Sequence, residues 1–396
     1  MRRKLIRLVD RSLGQLIALC MVVYDRILRL SAKRSRTDLT LEPAPKNILI
    51  IKMVGIGDTV LMLTPIQCLR RHFPDAKISA LVTSLSSGIV IGQPSIDEVI
   101  VYNDLTWERG VPGFARLIRL LRNKRFDCVM DFEQHFRLTS VLAYLTGASR
   151  RIGFYYNRSL RGSLYTDSIH LDSDCNMVDS YMNLLRPLGI DSPPVDTLEG
   201  IHIGADDEAK VARWLANRGI CSTDLVIGIH AGSGPRAPHK RWDKENFAEI
   251  IRRLQVNWGA KVILTGTTQE RGLIQQIMSL VGDRTAYDSG GEFDTKQVAA
   301  LAKRCDLFLS NDTGPMHIAA AVGTPTIGLF GPESPCRYAP VGKRNASIYK
   351  QLSCSPCVEI HKGKVRDCDN PVCMREISVE DVWTRILGYD LKGSRQ

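Results

Sequence analysis

The segment 310–317, Ser-Asn-Asp-Thr-Gly-Pro-Met-His, has the residue types of an anion-binding turn. The apolar run 307–309 precedes it, which predicts the end of a buried strand, a tight turn and the start of a helix. Asp312 or Thr313 can cap that helix, and the proline stands where its missing N–H costs least. A helix start that offers backbone N–H groups, a hydroxyl and the small Gly314 favours a bound phosphate. The segment therefore predicts a phosphate site.

Two further residues stand beside predicted helix starts. His317 lies on the first turn of the helix just described, next to the candidate phosphate site, although a lone helix histidine often only packs against its neighbours. Glu270 follows the turn 266–268. It either stabilises a helix start as an acidic residue or binds ribose hydroxyls or a base. Both interpretations stay open for each residue.

A loop rich in glycine and proline, residues 232–238, leads to the basic pair Lys240 and Arg241. A lysine beside the backbone N–H groups of such a loop can neutralise phosphate oxygens. A solvated basic loop is the alternative interpretation.

Asp58 follows Gly57 directly after a predicted strand. A carboxylate at the mouth of a cleft can act as a general base, whereas a turn with helix capping is the simpler explanation. The turn has no third glycine in the dinucleotide-binding spacing, so the sequence gives no support for NAD.

The cysteines raise the question of a metal. The chain has 11 of them, an odd number, and several stand alone in apolar surroundings, which favours a reducing compartment over a disulfide scaffold. Cys354, Cys357, Cys368 and Cys373 have a spacing compatible with a tetrahedral metal site. Such a site would be structural, because four cysteine ligands leave no open position. Reduced structural thiols and disulfides are the alternatives.

The elements that must position these residues form two similar sets. Apolar runs predict one set of strands at 47–53, 77–82, 99–102 and 128–132, with helical patterns at 58–73 and 114–125. A second set of strands is predicted at 225–230, 261–266, 307–309 and 325–330, with a helix at 247–258. Strands that alternate with helices predict α/β doubly wound domains. In open α/β sheets, ligands bind at the carboxyl ends of the strands, where the candidate residues stand.

We expect three parts in the chain. A Pro-rich hinge near 192–194 separates an N-terminal domain, 47–195, from a C-terminal domain, 196–396, which includes the Cys-rich segment 354–373 and a C-terminal helix. Two such halves imply a cleft between them. Residues 1–46 form a separate basic segment and linker.

The charge of the chain is uneven. The net charge is +11, but residues 1–36 hold ten Lys and Arg against two Asp, which gives +8 and leaves +3 for the rest. The body is therefore not a basic nucleic-acid binder. The apolar stretch 13–24 is too short for a comfortable membrane span of roughly 20 residues. A basic amphipathic helix on an anionic membrane surface is the favoured interpretation, with a packing or oligomerisation helix, or a signal peptide or true span, as alternatives.

Taken together, these segments resemble the lipopolysaccharide heptosyltransferase family, glycosyltransferase family 9. The similarity runs from about residue 47 to residue 385 and has three parts in order. They are the strand-turn-helix 47–65 with Gly57-Asp58, the loop Gly232-Ser233-Gly234 with Lys240-Arg241-Trp242, and the block from Asn311 to Pro332. The resemblance implies a GT-B fold, in which two Rossmann-like domains face each other across a cleft.

The resemblance also implies an activity and residue roles. The reaction would be inverting transfer of heptose from ADP-heptose to a lipid-linked lipopolysaccharide core acceptor, with no catalytic metal. Asp58 would be the general base, and Lys240 would meet the charge of the departing ADP. The implied donor-binding residues are Gly232, Ser233, Lys240, Arg241, Glu270, Asp312, Thr313, Gly314 and His317.

The acceptor, metal and membrane expectations complete this interpretation. Gly57, His135 and Arg137 are the candidate acceptor-binding residues, and a surface ion pair is an equally good explanation of Arg137. The cysteine-rich tail resembles a Cys-Ser-Pro-Cys feature of the family, so a structural zinc or iron is considered there. Residues 1–36 would hold the enzyme peripherally on the cytoplasmic face of the inner membrane.

Two other functions are weighed against this one. The same fold and inverting chemistry could use another nucleotide sugar, to build O-antigen, capsule or a glycoprotein. A non-catalytic, membrane-associated glycan-binding protein is the third hypothesis. The combination of Asp58, Lys240 and His317 argues against it.

Overall fold

The computed structural model describes residues 44–102, 111–134, 136–156, 160–172, 174–191, 193–235, 237–282, 286–359, 364–365 and 368–391. Of the predicted basic segment 1–46, only residues 44–46 are among them, so the amphipathic helix and most of the linker lie outside the described residues. None of the helices in these ranges is long and apolar enough to cross a membrane.

The described chain divides into two compact units. The first comprises the described residues of Met1–Val54, Thr64–Ser173 and Val178–Pro193, and the second comprises Gly55–Leu63, Asp174–Met177 and those of Pro194–Gln396. The domain bounds given above stay predictions. The short segment that carries Asp58 belongs to the second unit.

The elements up to residue 190 alternate between strands and helices. In chain order they are β1 (Asn47–Lys52), α1 (Ile56–Leu61), α2 (Leu63–His72), β2 (Lys77–Thr83), α3 (Ser87–Val90), β3 (Glu98–Tyr102), α4 (Val111–Asn123), β4 (Cys128–Asp131), α5 (Leu138–Leu145), β5 (Arg150–Tyr155), β6 (Asp167–His170) and α6 (Met177–Asn183), with 3-10 turns at Leu160–Leu164 and Arg186–Leu188.

The first unit has a six-stranded parallel sheet in the order β3-β2-β1-β4-β5-β6. β1 lies at its centre, and its residues Ile48 to Ile51 are fully buried, as a strand covered on both faces requires. Strand order runs outward from β1 in one direction and from β4 in the other. The topological switch point of this sheet therefore lies between β1 and β4, where Ile51 pairs with Asp131.

The elements of the second unit repeat this plan. In chain order they are α7 (Ala205–Ala216), β7 (Val226–His230), α8 (Lys244–Trp258), β8 (Lys261–Leu264), α9 (Arg271–Val281), β9 (Ala286–Asp288), α10 (Thr295–Arg304), β10 (Leu307–Asn311), α11 (Gly314–Ala321), β11 (Thr326–Phe330), α12 (Pro335–Tyr338), β12 (Ala346–Tyr349), β13 (Val358–Glu359), β14 (Lys364–Val365), α13 (Val372–Arg375) and α14 (Val379–Leu387), with 3-10 turns at Pro238–Lys240 and Thr268–Glu270.

The second sheet is also parallel, with the order β12-β11-β10-β7-β8-β9, and β13 and β14 form a separate antiparallel pair. Its switch point lies between β7 and β10, where His230 pairs with Ser310. Buried side chains from the sheet, α8, α9 and α14 form a hydrophobic core of the unit. The loops after β7 and β10 thus meet at one edge of the sheet.

One predicted helix is interrupted. The sequence predicts a single helix over 58–73, whereas the structure has α1 and α2 with a break at Met62. Pro65 explains the break, because its ring has no N–H and clashes with the carbonyl of residue 61, four positions earlier. Pro65 is accommodated in the first turn of α2 instead.

Candidate active site

The loops at the switch point of the second sheet are joined by Asn311, the last residue of β10. Its side chain is fully buried. The Asn311 amide donates to the carbonyl oxygens of Ala231 at 2.9 Å and Gly232 at 3.3 Å, and its oxygen accepts the backbone N–H of Trp242 at 3.1 Å. One side chain therefore fixes the loop after β7, the segment that carries Lys240, and the turn that begins at Asp312.

Glu270 shapes the same loop from the other side. Its Oε1 accepts the Gly234 N–H at 2.9 Å, and its Oε2 accepts the N–H and the hydroxyl of Thr267, each at 3.0 Å. A Cβ on Gly232 would lie 2.1 Å from Oε1, so any larger residue would displace the Glu270 carboxylate. Although burial would raise the pKa of Glu270, His230 and these hydrogen bonds lower it, so the carboxylate stays ionised.

Arg241 and Ser233 close the loop. The Arg241 Nε donates to Ser233 Oγ at 3.1 Å, its Nη2 donates to the Gly234 carbonyl at 3.1 Å, and Ser233 Oγ donates to the Ala237 carbonyl at 2.6 Å. Arg241 and Ser233, both predicted to bind the nucleotide-sugar donor, thus hold the backbone of a loop beside the switch point. Their direct contact with a donor stays a prediction.

The start of α11 differs from the expected cap. Thr313 occupies the N-cap position, but its hydroxyl donates to the Asn311 carbonyl at 3.2 Å, and in the described structure no side chain caps this helix. The expectation that a Thr313 or Asp312 side chain caps α11 is therefore wrong. Asp312 is instead turned to Lys240, and the helix start is left with the uncapped N–H groups that suit an anion.

Five side chains come together at this helix start, and we call them the second-unit cluster: Asp58, Lys240, Asp312, His317 and Glu333. The Lys240 Nζ lies 2.6 Å from Asp312 Oδ2 and 3.0 Å from Glu333 Oε2. These three side chains are mostly buried, with 16%, 6% and 14% of their surface exposed. The Lys240 ammonium therefore forms ion pairs with two carboxylates.

Burial and neighbouring charges set the protonation of this group. Burial alone would lower the pKa of Lys240, but the Asp312 and Glu333 carboxylates raise it above its ordinary value. Burial raises the pKa of Glu333 to about 7, with Asp312 and Asp58 adding to the effect and Lys240 opposing it. Lys240 is therefore charged, and the pKa of Glu333 lies well above that of an ordinary carboxyl group.

Two glycines bring α1 and α11 close together. A Cβ on Gly57 would lie 2.6 Å from His317 Cδ2, and one on Gly314 would lie 2.9 Å from Ile56 Cγ2. His317 is 3% exposed, and its Nδ1 has no hydrogen-bond partner among the described residues. Burial lowers the pKa of His317, against the nearby Asp312 and Asp58, so the imidazole is neutral. Most buried polar atoms in proteins have a hydrogen-bond partner, so this nitrogen is available to a ligand or a water molecule.

Asp58 lies in the first turn of α1. Gly55 before it has φ +92°, and a Cβ there would lie 2.5 Å from Asp58 Oδ2, so the carboxylate folds back over the helix start, where an anion is stabilised. Asp58 is near enough to affect the pKa values of His317, Glu333 and Tyr338. The structure thus brings Asp58, Lys240, Asp312 and His317 together, and their roles stay predictions.

The candidate acceptor residues are placed separately. Gly57 packs against His317 in the second unit. Arg137 is half-buried at the N-cap position of α5 in the first unit, where its carbonyl accepts the hydroxyl of Ser140. His135 lies outside the described residues.

The four candidate metal ligands are free thiols. Cys354 is exposed, Cys357 and Cys368 are half-buried, and Cys373 is buried. Burial raises the pKa of Cys373 to about 11, and the other three thiols add to the shift, so all four lie in one neighbourhood. Within the described ranges no three Cys, His, Asp or Glu side chains are placed to hold a metal ion.

The switch point of the first sheet carries another group of buried polar side chains, which we call the first-unit cluster: Lys52, Asp131, Glu133, Arg161 and Tyr165. Arg161 Nη2 pairs with Asp131 Oδ2 at 2.8 Å, and Tyr165 donates to the same oxygen at 2.6 Å. Lys52 pairs with Glu133 at 3.5 Å, and Glu133 also accepts the N–H groups of Met53 and Val54. Each buried cation therefore has a buried anion.

Sequence reasoning missed Glu333, the bridging role of Asn311 and the first-unit cluster. Glu333 follows β11 in a Gly-Pro turn, at the same edge of the sheet as Asp312. That position after a strand was the available signal. For Lys52 and Arg161 the sequence offers none, because their partners are distant in the chain.

Known proteins resemble this chain in sequence and in structure. Residues 114–365 match the sequence profile of Glycosyltransferase family 9 (heptosyltransferase). The lipopolysaccharide core heptosyltransferase OpsX of Haemophilus influenzae is 27% identical over 314 residues, covering 78% of this chain and 86% of that protein. A glycosyl transferase family 9 structure from Veillonella parvula has a TM-score of 0.74 at 25% identity and covers 88% of this chain and 98% of that one. The E. coli ADP-heptose lipopolysaccharide heptosyltransferase II has a TM-score of 0.68 at 20% identity, with 86% and 97% covered.

The two parallel six-stranded sheets and these structural matches define an α/β fold of the GT-B type. The profile match spans more than half of the chain, so the chain belongs to glycosyltransferase family 9, the heptosyltransferase family. The protein is therefore a glycosyltransferase, and the family prediction is confirmed.

Proposed function

We propose that this glycosyltransferase moves heptose from ADP-heptose to a lipid-linked lipopolysaccharide core acceptor, with inversion at the sugar carbon. The lipopolysaccharide core is proposed because the relative OpsX is named for it. The second-unit cluster supports the chemistry, since it combines a carboxylate, an ammonium and an uncapped helix start. ADP-heptose is the donor that the family resemblance implies.

Lys240 and the start of α11 would hold the donor diphosphate. Asp312 orients the Lys240 ammonium at 2.6 Å, and α11 offers backbone N–H groups around Thr313 and Gly314. When the bond between the sugar carbon and the phosphate oxygen breaks, its electron pair goes to that oxygen. The fixed positive charge of Lys240 and the helix dipole would stabilise the departing ADP without a catalytic metal.

Asp58 would take the proton of the acceptor hydroxyl. The freed oxygen attacks the sugar carbon from the face opposite the departing phosphate, so the new bond has the inverted configuration. Asp58 is held over the start of α1, and His317, neutral and packed on Gly57, would shape the donor side of the site. A positioned general base typically contributes roughly 10²–10⁴-fold to the rate.

The remaining donor and acceptor roles follow from position. Gly232, Ser233, Arg241 and Glu270 form or brace the loop after β7, and we propose that this loop binds the nucleoside, with Glu270 meeting the ribose. Arg137 is proposed to contact an acidic or phosphorylated acceptor sugar, and His135 and Gly57 stay proposed acceptor-binding residues. The enzyme would act on the cytoplasmic face of the inner membrane, held there by residues 1–36.

The cysteines are proposed as a structural zinc or iron site, separate from catalysis. The described placement of the thiols does not itself form a ligand set, so no step depends on a metal. Metal analysis of the purified protein tests the proposal: about one zinc or iron per chain supports it, and none contradicts it.

The observation that carries the proposed function is the meeting of Asp58, Lys240 and Asp312 at one helix start. The test is incubation of the purified protein with labelled ADP-heptose, UDP-glucose or GDP-mannose and a heptose-free core acceptor. We expect transfer from ADP-heptose alone, with the inverted anomer in the product spectrum. Transfer only from a UDP- or GDP-sugar would contradict the heptose assignment, and a retained configuration would contradict the mechanism.

A further inference from the structure

The second-unit cluster has more negative than positive charge. Lys240 is the ammonium that faces Asp312 and Glu333, and Asp58 lies close enough to raise the pKa of Glu333. With its carboxylates ionised and His317 neutral, the cluster has three anions and one cation. A nucleotide-sugar donor would bring two further negative charges to the same place, so the cluster as it stands is poorly matched to its proposed ligand.

Glu333 is the carboxylate best placed to remove this mismatch. Its contact with Lys240, at 3.0 Å, is longer than the 2.6 Å contact of Asp312. Asp312 is bound to the fold through its backbone N–H, which donates to Leu329, and it begins the turn into α11. Glu333 instead stands in the turn after β11, just before Ser334, the N-cap residue of α12. Burial and two neighbouring carboxylates already raise its pKa to about 7.

The groups that face Glu333 come from several elements. They are Lys240 from the 3-10 turn, Asp312 after β10, Asp58 on α1 and Tyr338 on α12, with His317 of α11 beside them. Lys240 keeps its charge because its pKa is raised, and burial together with Asp58 and Glu333 raises the pKa of Tyr338 well above its ordinary value. Burial lowers the pKa of His317. Above neutral pH, Lys240 therefore stays charged, and Tyr338 and His317 stay neutral.

We propose that Glu333 is a positioning residue for Lys240: ionised, it holds the ammonium in the donor-free enzyme, and it takes up a proton from solvent when a diphosphate donor binds, which releases Lys240 to the phosphates. No covalent bond changes in this step, and the only species transferred is the proton. The inference rests on the proposed function, because it requires a diphosphate donor at this cluster.

Proton uptake by Glu333 would change how donor binding depends on pH. The diphosphate of a nucleotide sugar is esterified at both ends, so it lacks the second ionisation near pH 6 of a terminal phosphate. Proton uptake by Glu333 must then appear as a pH-dependent donor affinity. The donor dissociation constant of the wild type rises by up to about tenfold per pH unit above pH 7.

The experiment is titration calorimetry of the full chain with ADP-heptose, UDP-glucose and GDP-mannose, in two buffers of different ionisation enthalpy, at about pH 6 and about pH 8. The dependence of the heat on the buffer counts the protons taken up. The variant is Glu333→Gln, which keeps the length of the side chain and an oxygen that accepts from Lys240. Glu292→Gln is the matched control on an exposed residue of the same unit, and melting curves confirm that each variant is folded.

The expected result at about pH 8 is uptake of nearly one proton by the wild type and Glu292→Gln, and nearly none by Glu333→Gln. Glu333→Gln should then bind the donor up to about tenfold more tightly than the wild type, and about equally at pH 6. Equal proton uptake by Glu333→Gln and the wild type overturns the inference, whichever of the three donors binds. Binding of UDP-glucose or GDP-mannose instead of ADP-heptose overturns the donor assignment alone, and binding of none overturns both.

Discussion

The switch points of the two sheets have the same topology but differ in their charge balance. The first-unit cluster has two buried ion pairs, Lys52 with Glu133 and Arg161 with Asp131, so each cation there is matched by an anion. In the second unit, Lys240 faces Asp312 and Glu333, with Asp58 nearby. His317 adds a buried ring nitrogen that lacks a partner among the described residues.

The difference separates a structural cluster from the cluster that we propose as the active site. Balanced and hydrogen-bonded charges hold chain segments in place, as Glu133 does for the backbone of Met53 and Val54. An excess of carboxylates beside a buried ring nitrogen that lacks a described partner is costly in the free protein, and strongly perturbed groups of this kind concentrate at functional sites. Perturbed groups in a cleft or at a strand end are therefore site candidates only when their charges do not already cancel.

The largest effect should come from Asp58→Asn, which keeps the shape of the side chain and removes the base. Transfer should fall by roughly 10²–10⁴-fold, with little change in the donor KM, because the residue acts on the acceptor proton. Initial rates of heptose transfer measure this. Asp206→Asn, a change in the exposed first turn of α7, is the control. Undiminished transfer by Asp58→Asn would show that the second-unit cluster is not the catalytic one.

The next effect is on stability and belongs to the first-unit cluster. Arg161→Met leaves the fully buried Asp131 carboxylate without its cation. The free energy of unfolding should fall by about 3–5 kcal/mol, while donor affinity of the folded protein stays unchanged. Denaturant unfolding measures the first and calorimetry the second. Arg119→Met, on the exposed face of α4, should change neither. A loss of donor affinity in folded Arg161→Met would contradict the structural role.

A smaller effect is expected from Gly232→Ala. The added methyl would meet the Glu270 carboxylate, which three hydrogen bonds hold in place. Overpacking of this kind costs about 1–3 kcal/mol, and the shifted loop should also weaken donor binding. Gly272→Ala is a matched control, because a Cβ there has nothing within 4 Å. Thermal melts and donor titrations measure these effects. Equal stability and equal donor affinity of the two alanine variants would contradict the claim that Glu270 shapes the loop.

The sequence predicted much of this structure because its signals are local. The strands at β1, β2, β4, β7 and β10 follow from apolar runs. Asp58 stands out as a polar residue soon after such a strand, and Lys240 as a basic residue at the end of a loop rich in glycine and proline. The apolar pattern over 58–73 predicts one continuous helix, because such a pattern gives no weight to the backbone clash of Pro65 that breaks the helix in the structure. Local signals therefore located the candidate site but not all of its residues.

What escaped prediction depends on distant contacts. Glu333 is 93 residues from Lys240 in the chain, and its raised pKa arises only from burial beside Asp312 and Asp58. Lys52 sits in an apolar run and gives no sign that Glu133, 81 residues away, will pair with it. Thr313 was expected to cap α11, but the Asn311 carbonyl is the acceptor that its hydroxyl reaches.

The central claim is that Lys240 and the second-unit cluster hold the donor diphosphate. Titration calorimetry of ADP-heptose into the wild type and Lys240→Met at about pH 7 tests it most directly, with Lys210→Met on the exposed surface of α7 as control. We predict donor binding about 10–100-fold weaker in Lys240→Met alone, because a charge-assisted contact worth about 1.5–3 kcal/mol is lost. Equal affinity in folded Lys240→Met and the wild type would contradict the claim.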